Sequence, residues 1–215
     1  KISQYIVECK RMGIQLLPPD VNRSYSGFRV DHDNIRFGLE GIKHVGTNFV
    51  QAIIEERQEN GIYTDLYDFC SRLKSRVINK KGVECLIKSG AMDCFGNKRA
   101  ELLEVYEPML DDITSNAKKN VEGQLSLFGE MEEKENGIEH YLHGTVPEMS
   151  KQQMLAFEKE MMGIYISGHP LEEYSDLLRT LDYFTMGDLQ FEKPEDMALA
   201  GVREGMEITV CGIVE

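Results

Sequence analysis

The chain has 215 residues and 41% hydrophobic side chains, which is enough to bury the cores of one or two domains. Its 37 acidic and 24 basic residues give a formal net charge of −13, a value that by itself argues against nucleic-acid binding. No apolar run approaches the roughly 20 residues of a membrane span, and the five cysteines form no CxxC pair. We therefore expect a cytoplasmic protein with reduced thiols, no membrane partner and no metal site.

The N-terminal 40 residues are predicted to form a short helix followed by a β-hairpin. Apolar residues on one face predict a helix over residues 2–12. The two prolines at 18–19 forbid a helix and indicate an extended turn. Residues 28–30 and 35–37 alternate between apolar and other side chains, so we expect them to pair as strands. Turn chemistry explains the polar residues 31–33 between them better than metal binding does.

The next 80 residues are predicted to be wholly helical, in short pieces. Thr47 is placed to cap one of these helices, and Asn79 is placed to cap another. Glycines at 61 and 90 indicate where two of them end. The helices expected from apolar spacing cover residues 47–60, 66–73, 80–89 and 97–116.

The segment between residues 120 and 149 looks unfit to fold. Seven acidic residues and one lysine lie in residues 121–149, so the segment buries too little apolar surface to offset its ordering entropy. We therefore predict an acidic, flexible linker. One apolar string inside it indicates a short linear motif that binds another protein, formed by Gln124, Leu125, Ser126, Leu127 and Phe128.

After the linker, residues 150–162 are predicted to form an amphipathic helix, and Pro170 fits the first turn of another helix near residues 171–181. Residues 207–215 alternate like a β-strand. The predicted fold class is therefore mainly α, with a small β-hairpin near the N-terminus. The first residue is Lys1 rather than Met, which suggests a fragment of a longer chain.

One middle segment is basic although the chain as a whole is acidic. Between residues 71 and 100, only Glu84 and Asp93 oppose eight basic residues. Such a patch is the electrostatic footprint expected of a nucleic-acid-binding surface. The basic residues are Arg72, Lys74, Arg76, Lys80, Lys81, Lys88, Lys98 and Arg99.

Residues 41–53 combine a short apolar helix end, a tight turn at Val45 and Gly46, and a second helix. This arrangement resembles the helix–hairpin–helix DNA-binding motif. In such a motif, glycine lets the turn approach a phosphate, and the unsatisfied N–H groups that open the next helix point at it. The contact reads no bases, so binding should be independent of sequence and sensitive to salt.

A second copy of the motif is indicated by residues 86–99, which lead into the long helix. The alternative is two ordinary helix-to-helix turns with glycine C-caps, but two copies beside a basic patch favour DNA contact. We see no catalytic triad, phosphate loop or acidic Mg²⁺ pair, so we expect neither catalysis nor a cofactor in this stretch. The residues predicted to bind DNA phosphate are Lys43, His44, Val45, Gly46, Thr47, Lys80, Lys81, Ser89, Gly90, Ala91, Gly96, Asn97, Lys98 and Arg99.

Several stretches together resemble the alpha-subunit family of bacterial DNA polymerase III, the replicative C-family polymerases. The stretches that carry the resemblance are MGIQLLPPDVNRS (12–24), IRFGLEGIKHVG (35–46), NKKGVECLIKSGAMDCFGNKRAELL (79–103), EKEMMGIYISGHPLEEY (158–174) and EITVCGIVE (207–215). The resemblance implies the end of a fingers domain (1–40), a tandem helix–hairpin–helix domain (41–119), a linker with a clamp-binding motif (120–149), a helical connector (150–204) and the start of an OB-fold (205–215).

In that family, a Gln-Leu-x-Leu-Phe pentapeptide in the linker binds the β sliding clamp, and residues 124–128 match it at each position. Leu127 and Phe128 would fill an apolar pocket while the Gln124 amide hydrogen-bonds at its rim. The implied partners are duplex primer-template DNA, the β clamp and other holoenzyme subunits. The parent would be a DNA-directed DNA polymerase using Mg²⁺, whose catalytic aspartates lie outside this chain.

Three alternatives remain at this point. A PolC-type polymerase also has such hairpins and the QLSLF string, but there the motif closes the chain, whereas here a long segment follows it. An error-prone paralogue is a second alternative, although the intact motif argues against variants that lack one. The third is a protein-interaction scaffold whose hairpin domain packs helices and never contacts DNA, which the net charge of −13 supports.

Overall fold

The computed structural model divides the chain into two compact units, Lys1–Ser167 and Gly168–Glu215. The divisions predicted at residues 40, 119 and 149 all fall within the first unit, where they mark changes of sequence within one compact body. The structure describes residues 2–73, 77–121, 137–142, 146–181, 183–185, 189, 201–203 and 205–213.

The described part of the first unit is mainly helical, which confirms the predicted fold class. Its helices are α1 (Ile2–Arg11), α2 (Thr47–Asn60), α3 (Leu66–Arg72), α4 (Lys80–Lys88), α5 (Arg99–Val121) and α6 (Lys151–Met162). Its strands are β1 (Leu16–Leu17), β2 (Arg29–Asp31) and β3 (Asn34–Arg36), and its 3₁₀ turns are Leu39–Gly41, Asp93–Phe95 and Ile138–His140. Among the helices described, none is long and apolar enough to cross a membrane.

The predicted β-hairpin is present near the N-terminus. β2 and β3 pair antiparallel, with Val30 opposite Ile35, and His32 takes φ 56° in the tight turn between them. The polar turn residues are used in the fold: Asp31 accepts from Arg36 Nε at 2.6 Å, and this ion pair holds the pKa of Asp31 below its usual range. β1 pairs parallel to β3 and was not predicted, because two residues show no alternation.

The loop before the β-hairpin fastens the sheet region to the helices. The Val21 N–H donates to the Ala91 carbonyl at 2.9 Å, and Val21 is fully buried. Arg57 of α2 is also buried and donates to the carbonyls of Val21 and Ser24. Val21, Phe37 and Leu39 therefore belong to the same core as the helices that follow, and buried polar groups of the loop are satisfied across the predicted boundary.

Helices α2 to α5 surround a common apolar core. Leu66, Leu86 and Leu102 are fully buried in it, and truncating such a side chain to alanine typically costs about 2–5 kcal/mol. Asp65 caps α3 and Asn79 caps α4, each accepting from the backbone N–H three residues ahead. The prediction for Asn79 is thereby confirmed.

Part of the predicted linker packs on this core. Ile138 is buried, and the Tyr141 ring stacks on Tyr67 at 6.3 Å between centroids. Helix α5 also continues to Val121, beyond the end predicted at residue 116. The expectation of a wholly flexible segment from 120 to 149 is therefore wrong for residues 137–142 and 146–149. Apolar side chains in an acidic stretch can still be held by a core that lies far away in sequence.

The second unit contains less regular structure among its described residues. A 3₁₀ turn, Pro170–Tyr174, precedes a short helix, α7 (Ser175–Leu178), so the helix predicted near 171–181 is shorter than expected. Two short strands, β4 (Phe184–Thr185) and β5 (Val210–Cys211), pair in parallel. The strand predicted over 207–215 is described as strand only at β5, and the OB-fold stays a prediction.

Candidate nucleic-acid interface

The first hairpin, residues 43–47, presents an exposed turn on buried anchors. Ile42 and Val45 are buried, whereas the side chains of Lys43 and His44 lie in solvent. His44 takes φ 62°, the left-handed conformation that tightens the turn. The Lys43 N–H donates to the Met161 carbonyl at 2.9 Å, so α6 holds the base of the turn in place. The exposed Lys43 side chain forms no ion pair with any residue that the structure describes.

The start of α2 has no side-chain cap. Thr47 is the first helical residue rather than the predicted cap; the cap position belongs to Gly46, which has no side chain to accept a hydrogen bond. Within the described part of the chain, the N–H groups of Gly46, Thr47 and Asn48 donate no hydrogen bond, and all three residues are exposed. Free N–H groups at the positive end of a helix form a site for an anion such as a phosphate.

The second hairpin, residues 89–99, has a buried turn. Ser89 and Ala91 are fully buried, and the Ser89 hydroxyl donates to the Leu86 carbonyl at 2.9 Å. Gly90 takes φ 80°, and a Cβ added there would lie 2.2 Å from Nη2 of Arg99. Glycine is therefore favoured here both by the positive φ and by the close approach of Arg99. The predicted phosphate contacts of these three turn residues are corrected to packing roles.

Arg99 is also a structural residue, not the exposed phosphate ligand that was predicted. It is 5% exposed, and its Nε and Nη2 donate to Asp93 at 2.9 and 2.7 Å. Its Nη2 also lies 3.7 Å from Oε1 of the buried Glu158. Burial alone would lower the pKa of Arg99, but the carboxylates of Asp93, Glu158 and Glu148 together outweigh that effect and the pKa is raised. Its charge is thus used inside the fold.

The N-terminus of α5 is occupied by carboxylates of the chain itself. The Arg99 and Ala100 N–H groups donate to Oε2 and Oε1 of Glu148 at 3.1 and 3.3 Å. The Lys98 N–H donates to Oε2 of Glu101 at 3.2 Å. The positions where a phosphate would bind therefore already hold negative charge.

Most of the predicted basic patch is neutralised by intrachain ion pairs. Lys80 contacts Asp111 at 2.8 Å and Lys81 contacts Glu84 at 2.9 Å. Lys98 donates to the Val146 carbonyl at 2.9 Å. Further ion pairs join Arg72 to Glu56 and Asp68, Lys88 to Glu84, and Lys98 to Glu101.

The remaining predicted residues divide into two groups. Gly96 is exposed with φ 82°, and Asn97 is half-buried, so both lie near the surface beside the start of α5. The clamp-motif residues 124–128 lie outside the described residues, as do Lys74 and Arg76. In the ranges that the structure describes, no group of three or more His, Cys, Asp or Glu residues could hold a metal ion.

Comparison with known proteins supports the DNA-related interpretation of the hairpins. Residues 13–102 match a family described as "Helix-hairpin-helix motif", a span that contains the first hairpin and all of the second. The chain is 37% identical over 97% of its length to DNA polymerase III subunit alpha of Borreliella burgdorferi, and 40% identical over 96% to that of Deinococcus radiodurans. It is 33% identical over its whole length to that of Vibrio cholerae.

The chain is homologous to one segment of the DNA polymerase III alpha subunit. This confirms the resemblance drawn from the sequence. The chain spans only 16–18% of the length of these three alpha subunits, so most of each relative has no counterpart here.

The alpha-subunit resemblance did not indicate two residues that shape the second hairpin, Glu148 and Glu158. Glu148 lies 49 residues from Arg99 in the sequence, within a stretch that looks like linker. Glu158 lies on α6, where its Oε2 accepts from the N–H groups of Ile166 and Ser167, each at 3.0 Å. The sequence gives one indication of its buried role, which is that a carboxylate lies among the apolar residues of an amphipathic helix. This indication is weak because half-exposed acids are common in such helices.

Proposed function

We propose that this chain is the DNA-holding segment of a replicative DNA polymerase and that its first hairpin grips the duplex backbone. The observation that carries the proposal is the start of α2 next to the exposed Lys43: it has no side-chain cap, and its first N–H groups find no acceptor within the described ranges of the chain. A phosphate placed there would accept from the backbone and face the lysine ammonium, which is how helix N-termini bind anions. Because such a contact involves no base edge, it holds DNA of any sequence.

The parent protein, by its alpha-subunit relatives, would be a DNA-directed DNA polymerase of chromosomal replication. The resemblance assigns its catalytic aspartates and their Mg²⁺ to parts that this chain does not contain. The role left to the present segment is to keep the duplex in place behind the active site. A weak, salt-sensitive grip suits that role, because the polymerase must also move along its product.

Duplex binding by the 215-residue chain tests this proposal. Fluorescence anisotropy with labelled duplexes of unrelated sequence, at several salt concentrations, gives the affinity and its salt slope. Lys43→Ala should weaken binding about equally for every duplex and reduce the slope by about one. The matched control is Lys10→Ala, which removes the same charge from an exposed site on α1. A sequence-dependent loss, or an equal loss with the control, would contradict backbone contact at the first hairpin.

We further propose that residues 124–128 dock on the β sliding clamp. The support is the position-by-position match to the family's pentapeptide and its place after the hairpin segment. Docking beside a DNA-holding segment converts dissociation into local rebinding at high effective concentration. Replacing Leu127 and Phe128 together by alanine should abolish clamp binding in surface plasmon resonance and leave duplex affinity unchanged. Clamp affinity that survives the double substitution would refute the tether.

A non-catalytic scaffold is the second candidate function, and the paired basic patch favours it. The described cations on α3 and α4 contact carboxylates of the chain itself, which leaves little free positive charge for a polyanion. The same anisotropy titration separates the two functions. A complete lack of duplex binding at low salt would support the scaffold and reject the grip.

A further inference from the structure

The segment 146–150, which we call the strap, crosses the start of α5. It approaches the helix through two contacts: Lys98 Nζ donates to the Val146 carbonyl at 2.9 Å, and the Glu148 carboxylate accepts from two successive helix N–H groups. The strap then leads directly into α6, for which Ser150 provides the N-cap. The strap therefore covers the end of α5 that a helix–hairpin–helix motif would turn toward DNA.

Glu148 is bound to the helix start as a phosphate would be. Its two oxygens accept from adjacent backbone N–H groups at 3.1 and 3.3 Å, and its Oε1 also accepts from the Met149 N–H at 2.9 Å. The third nearby donor, the ammonium of Lys98, contacts the strap at Val146 and the carboxylate of Glu101. An anion at this position is stabilised by the positive end of the 23-residue helix α5. Donors of the same kind at the start of α2 bind neither the strap nor any other part of the chain that the structure describes.

The contact is open to exchange. Glu148 is exposed and the Lys98 side chain is 42% exposed, so water and other anions can reach both groups. Replacing one carboxylate by one phosphate conserves the hydrogen bonds of the helix N–H groups, so the helix loses no cap in the exchange. Arg99 and Asp93 stay paired beneath the site, and the exchange requires no movement of the buried ion pair.

We propose that the strap is an autoinhibitory contact in which Glu148 occupies the phosphate position of the second hairpin until a DNA backbone displaces it. The proposal rests on the proposed function, because it requires that the chain bind duplex DNA through its first hairpin. The second hairpin then adds one phosphate contact when the strap leaves, with the Lys98 ammonium turning from Val146 and Glu101 to the phosphate.

The experiment compares Glu148→Gln with Glu104→Gln in the full chain. Both remove one negative charge, and Glu104 lies exposed on α5 away from the strap contact. Glu148→Gln should tighten duplex binding by about three- to tenfold relative to the control and steepen the salt slope by about 0.9, the effect of one added phosphate contact. Adding Lys98→Ala to Glu148→Gln should cancel the gain.

The outcomes separate the two proposals. If Lys43→Ala weakens binding but Glu148→Gln behaves like Glu104→Gln, the strap proposal is overturned and the DNA grip stands. If Lys43→Ala has no effect, the DNA grip fails, and a gain from Glu148→Gln would then place binding at the second hairpin alone. That result would overturn the strap proposal as stated, because the proposal requires the first hairpin to bind DNA as well.

A measurement on the unsubstituted chain tests the strap proposal even if a variant fails to fold. In a ¹⁵N–¹H titration with a short duplex, the amide signals of Arg99 and Ala100 should shift together with those of Thr47 and Asn48. Shifts at Thr47 and Asn48 alone, with Arg99 and Ala100 unmoved at saturation, would overturn the strap proposal.

Discussion

The two hairpins share a motif but differ in what occupies the start of the following helix. At the first hairpin the exposed N–H groups opening α2 have no hydrogen-bond acceptor among the residues that the structure describes, whereas at the second those of Arg99 and Ala100 bind Glu148. The first turn is exposed on a buried base, and the second is buried around Arg99. The comparison shows that the glycine-and-helix pattern supplies the donors, while distant residues decide whether an anion can reach them.

The largest expected effect is a loss of stability from a substitution in the second hairpin that leaves the first hairpin unchanged. Arg99→Gln removes the charge that faces the buried Glu158, and an unpaired buried charge typically costs about 3–5 kcal/mol. Urea unfolding should show this loss, while Lys43→Gln at the exposed first hairpin should stay within about 0.5 kcal/mol of the parent chain. Arg99→Lys should not restore the stability, because a lysine cannot make the two parallel bonds to Asp93.

A loss below about 1 kcal/mol for Arg99→Gln would mean that Arg99 is not the centre of the second hairpin. The buried contact with Glu158 would then contribute little to the free energy of unfolding, and the greater burial of the second hairpin would not make it more important for stability than the first.

The next prediction tests the free donors of the first hairpin. Proline fits the first position of a helix and removes one N–H, so Thr47→Pro should leave the stability nearly unchanged. It should weaken duplex binding about tenfold, since a charge-assisted hydrogen bond contributes about 1.5–3 kcal/mol and solvent screening reduces it. Thr47→Ala is the matched control, because it also removes the hydroxyl but keeps the N–H. Equal affinities for the two variants would exclude this N–H as a phosphate donor.

The sequence predicted the positions of the hairpin helices more reliably than it predicted which residues of the hairpins are exposed. Apolar spacing and the Asn79 cap placed α2 to α5 within a few residues, because those signals are local. Gly46 rather than Thr47 caps α2, a shift of one residue that changes whether the helix start is satisfied. Local patterns cannot resolve such a shift, since both residue types are accepted N-caps.

The state of the second hairpin could not be predicted from local patterns. Its decisive contacts join residues far apart in sequence: Glu148 lies 49 positions after Arg99, and Asp111 lies 31 positions after Lys80. Counting charges within residues 71–100 therefore found an excess of cations that the folded chain largely neutralises. A basic stretch of sequence becomes a basic surface only when acids from other elements do not fold against it.

The smallest expected effect concerns that neutralisation. Lys88 and then Lys81 hold the pKa of Glu84 below its usual range, so the folded state favours the ionised form. Its stabilisation is complete above the unfolded-state pKa of about 4.3 and is lost as the pH falls through the lower folded-state pKa. Glu84→Gln should therefore cost about 0.5 kcal/mol at pH 7, a figure reduced by solvent screening, and nearly nothing near pH 3.

Urea unfolding of Glu84→Gln and the parent chain at both pH values measures that difference, with Glu104→Gln as the exposed control. The same substitution frees Lys81 and Lys88, so it should also strengthen duplex binding slightly and steepen its salt slope. A pH-independent stability difference would mean that Glu84 acts through packing alone. Glu84 would then not neutralise Lys81 and Lys88, and these two cations of α4 would be available to DNA. The second hairpin would no longer differ from the first in the neutralisation of its nearby cations.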